Sequence, residues 1–362
     1  MAEVTLPIHI IKGRGAATRM PHRFERDVRD AYDDGWGTLE GAAGDTPRPA
    51  TEVFFEDARS AINRNDSPDI YFDYSVNPYR GCEHGCIYCY ARPTHSYLNL
   101  SPGLDFETKI IAKQNIVQVL RAELVKARYV PRLLNIGSAT DCYQPAEREL
   151  GLTRGVIEVL QQVRHPFSVI TKSAGIERDL DLLAPLAQAR LAAVYVTITT
   201  LDGELARKME PRAASPQRRL RTIRAMAEHG VPVGVSVAPQ IPFVNDDMER
   251  VLEAAWEAGA RSAFYTVIRL PWELAPLFRQ WLDLHYPQRA DRIMARIQEM
   301  RGGKDYDSDF ASRMKGHGLW ADLIRQRFEK TCRRLGFNRE RVALDLSQFR
   351  PASAAGQGSL FQ

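Results

Sequence analysis

Short apolar runs rich in β-branched residues recur through the middle of this chain, at 71–76 (YFDYSV), 132–137 (RLLNIG), 167–171 (FSVIT), 192–199 (AAVYVTIT), 232–238 (PVGVSVA) and 263–269 (AFYTVIR). Stretches with helical periodicity, at 114–128, 152–163, 176–189, 216–229 and 247–259, separate each run from the next. A strand that is apolar on both faces must be covered on both faces. A helical crossover between successive strands delivers them parallel, so the pattern predicts βαβ units around a parallel sheet. Such units fall short of the eight that close a full barrel. The fold class is therefore α/β, a partial (βα)6 TIM-like barrel. A weaker run at 108–112 (TKIIA) is a further strand or an edge.

The flanks read differently. Residues 272–346 carry PLFRQWLDLHY, DRIMARIQEMR and WADLIRQRFEKTCRRL, a helical C-terminal extension that caps the barrel domain, 66–271. Residues 1–65 form an N-terminal extension, poorly ordered over residues 1 to about 50, where stretches such as GWGTLEGAAGDTPRPA (35–50) have little periodicity, and 347–362 form a flexible tail. No run of apolar residues is long enough to span a bilayer, and the first residues show no secretory pattern, so the expected compartment is the cytoplasm without membrane attachment. The net charge of +4 is too small to demand a nucleic-acid partner.

The segment NPYRGCEHGCIYCYARPTHSY (77–97) sets Cys82, Cys86 and Cys89 at C-x3-C-x2-C. Three of the chain's 5 cysteines on one short loop suit a metal ligand set in a reducing compartment and not a disulfide scaffold. Zinc wants four ligands, and His84 inside the loop is the available fourth. An iron–sulfur cluster on three thiolates would instead leave one iron open. Cys332 reads as a buried helix residue, and no cysteine set remains for an auxiliary cluster.

With Tyr88 before the third cysteine and the first barrel strand before the loop, the segment resembles the radical S-adenosylmethionine (SAM) superfamily. CIYCY, ITKS, MEPRAASPQRRL and VSVAPQIP narrow the likeness to the spore photoproduct lyase-like branch, described as DNA-repair-photolyase-like, over about residues 70–270. YRGCEHGC, TDCYQPAERELGLTRG and RLPWELAPLF look like a bacterial subfamily beside the lyase. The resemblance implies a 4Fe–4S cluster on Cys82, Cys86 and Cys89, with SAM chelating the fourth iron. It implies reductive cleavage of SAM to methionine and a 5′-deoxyadenosyl radical, the electron coming from a reductant such as flavodoxin or ferredoxin. It places Thr140 and Asp141 near the amino group of SAM, Lys172 near its carboxylate and Thr197 after the next strand. Tyr88 packs on the cluster or the adenine, and Ser138 belongs to the same cofactor-facing set. Each has a plainer alternative: a solvated strand-end lysine for Lys172, a turn or cap for Asp141, structural ion pairs for Glu210 and Arg212.

The branch's radical-relay tyrosine falls on Tyr90, which otherwise is a core aromatic. Its hydrogen-donor cysteine falls on Ser138, whose O–H is far harder to break than a thiol. Cys142, just beyond the strand end, substitutes as donor if it faces the barrel mouth. The implied substrate is DNA or nucleotide-derived, in a lyase or repair type of reaction. The alternatives are tRNA or protein as target, or an iron–sulfur nucleic-acid or clamp-associated binding or sensing protein without SAM turnover. RGGK (301–304) and SRMKGHG (312–318) offer glycines beside cations for a phosphate, or form an ordinary loop. Gln357, Ser359, Leu360 and Phe361 at the tail resemble the pentapeptide that grips the bacterial sliding clamp, with Gly358 departing from it.

Overall fold

All six apolar runs become parallel strands. The structure is a computed structural model that describes residues 8–25, 49–340 and 342–351. Its strands are β1 (Glu52–Glu56), β2 (Ile62–Arg64), β3 (Tyr74–Val76), β4 (Tyr79–Arg80), β5 (Lys109–Lys113), β6 (Leu134–Ile136), β7 (Phe167–Thr171), β8 (Ala192–Thr197), β9 (Val233–Ser236) and β10 (Ser262–Phe264). The main sheet runs β10-β9-β8-β7-β6-β3-β2. Every neighbour from β3 to β10 is parallel, and β2 pairs antiparallel with β3 at the edge. This is the partial (βα)6 barrel, open between β10 and β2. The weaker run became β5, in a separate sheet of order β1-β5-β4.

Register assigns the two faces of the barrel. Val76, Ile136, Val169, Val194, Val196 and Val235 join the main core with helices Leu152–Gln162, Leu180–Gln188 and Pro216–Glu228. Each buried aliphatic side chain of this layer contributes about 1.5–3 kcal/mol. Truncating one, Leu160→Ala for instance, costs about 2–5 kcal/mol. The alternate positions Ser75, Asn135, Ser168 and Tyr195 face inward. Gly234 pairs with Tyr195, and a Cβ on it would meet the Tyr195 ring at 2.6 Å, so only glycine leaves that ring its place.

The C-terminal region is helical as expected, with helices Leu274–His285, Ala290–Glu299 and Gly318–Leu335. The first two form a second core with Cys86, Ile87 and Tyr88. The third lies on helix Met248–Glu257, where Arg327 donates to both oxygens of Glu249 at 2.6 and 2.7 Å. No described helix is long and apolar enough to cross a membrane.

The N-terminal extension departs from expectation. Strands β1 and β2 lie inside it, and residues 14–16 are buried against the cysteine loop. Local pattern does not show this, because the partners of β1 and of residues 14–16 lie far along the chain. The clamp-like tail, Gln357 to Phe361, lies outside the described residues.

Candidate active site at the cysteine loop

The loop Gly81–Tyr90 leaves the first barrel strand and is tied down at nearly every residue. Cys82 N–H donates to Phe106 O (2.9 Å), Ile87 N–H to Met209 O (3.0 Å) and Arg212 N–H to His84 O (3.2 Å). Glu83 N–H donates to Gln144 Oε1 (2.9 Å), and the Glu83 carboxylate pairs with Arg212 at 2.9 Å. Gly85 sits at φ +67°, and a Cβ there would lie 2.6 Å from Glu107 Oε2. A larger residue would be strained and crowded at once. Behind the loop, the wholly buried Arg92 donates to Cys86 O (2.8 Å), Gly85 O (3.0 Å) and Gly103 O (2.9 Å), and pairs with Glu107.

Cys82 and Cys86 are buried and Cys89 half-buried, all three as free thiols. Burial pushes the Cys82 thiol well up, with Asp141, Cys86 and Cys89 adding to it. Burial also pushes Cys86 up to about 12, against the pull of the Lys172 ammonium. Lys172 follows β7 with its Nζ 5.8 Å from the Tyr88 ring centre. Burial alone would depress it, but Cys86, Glu210 and Asp141 outweigh that and hold it protonated. Among the described residues, no carboxylate forms an ion pair with Lys172, and it stands as a cation facing the loop.

Under Tyr88 lies a closed network around Glu210, which the sequence offered with Arg212 as structural ion-pair residues; its partner is Arg219, while Arg212 pairs with Glu83. Tyr88 Oη donates to Glu210 Oε1, Thr199 Oγ1 donates to the same oxygen (2.9 Å), and Arg219 takes Oε2. Arg219 also donates to Ala214 O (2.7 Å) and Thr197 O (3.0 Å). Burial pushes Glu210 up, yet Arg219 and Lys172 outweigh it and keep the carboxyl below its ordinary value. Ser215 caps the helix that carries Arg219, accepting from Arg218 N–H (3.3 Å), with Pro216 at the first turn. Glu210–Arg219 is buried and satisfied, which fixes Tyr88 in place. The arginine and the glutamate lie on separate elements, and nothing in sequence spacing joins them.

The strand-end residues turn out to serve the loop's architecture. Thr140 Oγ1 donates to Gly81 O (2.6 Å). Asp141 accepts from Thr171 Oγ1 (2.7 Å), Lys172 N–H (2.7 Å) and Tyr143 N–H (2.9 Å), and His84 Nδ1 lies 3.2 Å away, close but off the line of a good hydrogen bond. Burial would raise Asp141, but the His84 charge and these hydrogen bonds hold it well below the usual carboxylate range. Both side chains were expected at the SAM amino group. In the structure both also make hydrogen bonds within the protein. Thr197 is buried at the end of β8, its carbonyl facing Arg219.

Ser138 and Tyr90 meet at the mouth: Tyr90 Oη donates to Ser138 O, and Asn77 Nδ2 donates to Ser138 Oγ (3.2 Å). Tyr90 is no core aromatic, since 47% of it is exposed. Its buried side still raises its pKa, Arg269 working the other way. Arg269, which sequence reasoning missed, stacks its guanidinium 4.4 Å from the Tyr90 ring centre. Cys142 does not face the mouth. It is 0% exposed, sits in the main core among Val156 and Ile157, and its thiol lies 4.0 Å from Ile136 O. A thiol walled off there is a packing residue, and the donor role expected of it is corrected. Arg301 of RGGK is also turned inward, donating to Ile268 O (2.6 Å) and Ser312 O (3.1 Å).

A partial barrel that delivers three thiols on one loop, with a cation beside them, offers a ligand set for a cluster cofactor on an α/β scaffold. The sequence pattern of the Radical SAM superfamily matches residues 76–255. An uncharacterised protein of Mycobacterium tuberculosis (strain ATCC 25618 / H37Rv) is 36% identical over 238 residues, 65% of this chain and 70% of that one. An uncharacterised protein of Methanocaldococcus jannaschii is 26% identical over 242 residues, 67% of this chain and 86% of that one. A mutant spore photoproduct lyase with bound AdoMet and dinucleoside spore photoproduct shares the fold, with a TM-score of 0.50, 16% identity and 78% of each chain covered. The chain belongs to the radical SAM superfamily, whose cofactors are a 4Fe–4S cluster and SAM.

The residues fit those cofactors. His84, the one fourth ligand a zinc site could recruit, is drawn to Asp141. Among the described residues, no three His, Cys, Asp or Glu side chains converge on one point as a single ion requires. A cubane takes each thiolate on a different iron, so Cys82, Cys86 and Cys89 suit the cluster better than zinc. The ammonium of Lys172 complements the SAM carboxylate.

Proposed function

We propose that this radical SAM enzyme acts on a nucleic-acid or nucleotide-derived substrate. When bound, the cluster and SAM would supply radical chemistry toward that substrate, with one electron coming from an external reductant. The chain's own residues then have three tasks. Cys82, Cys86 and Cys89 hold the cluster. Lys172 binds the SAM carboxylate, and Tyr88, fixed by Glu210 and Arg219, packs beside it. Tyr90, half exposed at the mouth, is the residue we assign to radical relay, since Cys142 is out of reach and the Ser138 O–H is too strong.

The observation that carries the substrate class is the charge around Tyr90. Arg269 lies over its ring with no ion-pair partner among the described residues. Lys172 and Arg313 also act on Tyr90, and burial together with Arg269 pushes Arg301 down to about 10. Arg313 is committed to Asp69 by two 2.6 Å hydrogen bonds and Arg301 to backbone carbonyls, leaving Arg269 without an ion-pair partner among the described residues. An aromatic ring under a free guanidinium suits a base next to a phosphate.

The test is anaerobic reconstitution with a chemical reductant, measuring 5′-deoxyadenosine with UV-irradiated DNA, undamaged DNA and tRNA. Stimulation by one nucleic acid, with new product bound to it, supports the reading. Turnover indifferent to all three would direct the search to a protein or small-molecule target.

A further inference from the structure

The segment Arg14–Ala16, far from the cysteines in sequence, lies directly behind their loop. Gly15 N–H and Ala16 N–H donate to Glu107 Oε2 and Oε1 at 2.9 and 2.8 Å. Arg14 donates to Glu107 O (2.9 Å) and Pro49 O (2.6 Å). Glu107 is wholly buried and is also the partner of Arg92, which holds the carbonyls of Gly85 and Cys86. A continuous chain of hydrogen bonds therefore runs from the strap, through a buried ion pair, to the backbone of the second cysteine.

The strap also touches the loop. A Cβ on Gly15 would lie 1.9 Å from Gly85 O, so the two backbones are in contact. Ala16 packs in one apolar cluster with Cys86, Ile87 and Tyr88. Further along, Leu104 N–H donates to Thr18 O (3.1 Å), Ser101 Oγ to Met20 O (2.9 Å), and Thr18 Oγ1 to Gln280 Oε1 (2.9 Å). The strap thus stitches the loop's supporting segment to the C-terminal helices.

A loop of thiolates repels itself and opens to water unless its backbone is held from outside. The potential of an iron–sulfur cluster follows the hydrogen bonds and solvent exclusion around its ligands. We propose that Arg14, Gly15 and Ala16 are positioning residues that clamp the cysteine loop in its cluster-binding conformation, so that cluster retention and potential depend on an N-terminal strap outside the barrel. The buried Arg92–Glu107 pair is stable only with its remaining oxygens satisfied, and the strap's two N–H groups satisfy them. Losing the strap leaves the carboxylate short of donors and frees Gly85 and Cys86 to move.

The experiment uses the full chain, reconstituted anaerobically with iron and sulfide, as Gly15→Ala, Arg14→Ala and the control Gly203→Ala. Gly203 is exposed at the start of the helix Gly203–Met209, at the end away from Met209, and an added Cβ there meets nothing within 4 Å. Iron and acid-labile sulfide per chain, the rate of iron loss to a chelator, the electron paramagnetic resonance spectrum and midpoint potential of the reduced cluster, and thermal melting by circular dichroism are measured. We expect Gly15→Ala and Arg14→Ala to melt within a few degrees of the parent. They should lose iron about ten- to a hundredfold faster, with shifted resonance and potential. The control should match the parent. Full iron with the parent's spectrum and potential in both strap variants would overturn the proposal. So would global unfolding of both, since the claim is a local one. Failure of the parent itself to take up a cluster would overturn it as well, whereas indifference to nucleic acid would leave it standing.

Discussion

The back of the cysteine loop and the mouth of the barrel lie a few residues apart and are built on opposite principles. Around the back of the loop the buried carboxylates are tied down: Glu107 by Arg92, Glu83 by Arg212, Glu210 by Arg219, and Asp141 by hydrogen bonds from Thr171, Lys172 N–H and Tyr143 N–H. Toward the mouth Arg269 has no ion-pair partner among the described residues, Lys172 has acidic groups near it but no direct ion pair, and Tyr90 is half exposed beneath Arg269. The contrast separates support from work. Saturated groups fix geometry, and groups left short of partners are free to receive a ligand.

The largest expected effects fall on the saturated side. Glu210→Gln should leave the Arg219 charge buried and uncompensated, lowering stability by about 3–5 kcal/mol in urea titration. A loss under about 1 kcal/mol would show that the network is not the rigid support described here. At the mouth, Lys172→Gln should weaken SAM about ten- to a hundredfold by calorimetry, the loss of a charged hydrogen-bond partner, while melting stays near the parent. Arg269→Ala should change stability by no more than about 0.5 kcal/mol. It should weaken binding of a labelled single-stranded oligonucleotide and reduce the slope of log affinity against log salt by about one. An unchanged slope would remove Arg269 from the substrate site and blur the comparison.

The smallest effect concerns Asp69, whose carboxyl is held below its ordinary value by the Arg313 hydrogen bonds. Because the folded value is depressed, this pair adds stability above the unfolded carboxyl range, lost as pH falls below about 4. Asp69→Asn should therefore cost a little at neutral pH and flatten the acid limb of the stability profile. A steeper limb would contradict the sign.

Sequence periodicity read the barrel well because the helix-covered face of a buried parallel strand is apolar and the whole run is rich in β-branched residues, as in FSVIT and AAVYVTIT. The thiol loop was legible because three clustered cysteines have few other uses. Polar strand ends were harder. Thr140 and Asp141 look the same in sequence whether they face a cofactor or hold Gly81 and His84. Cys142 follows Asp141 directly, yet the turn sends it into the core, and no residue pattern marks that direction. The strap was misread because GRGA is short, small and turn-like, while its partner Glu107 lies more than ninety residues on.

The most direct test of the central claim is the amount of 5′-deoxyadenosine and methionine formed by anaerobically reconstituted protein with reductant and SAM, beside folded Cys86→Ala. The account predicts both products in equal amounts from the parent and none above background from the variant. Equal product from both proteins, or none from a parent carrying its full iron and sulfide, would contradict it.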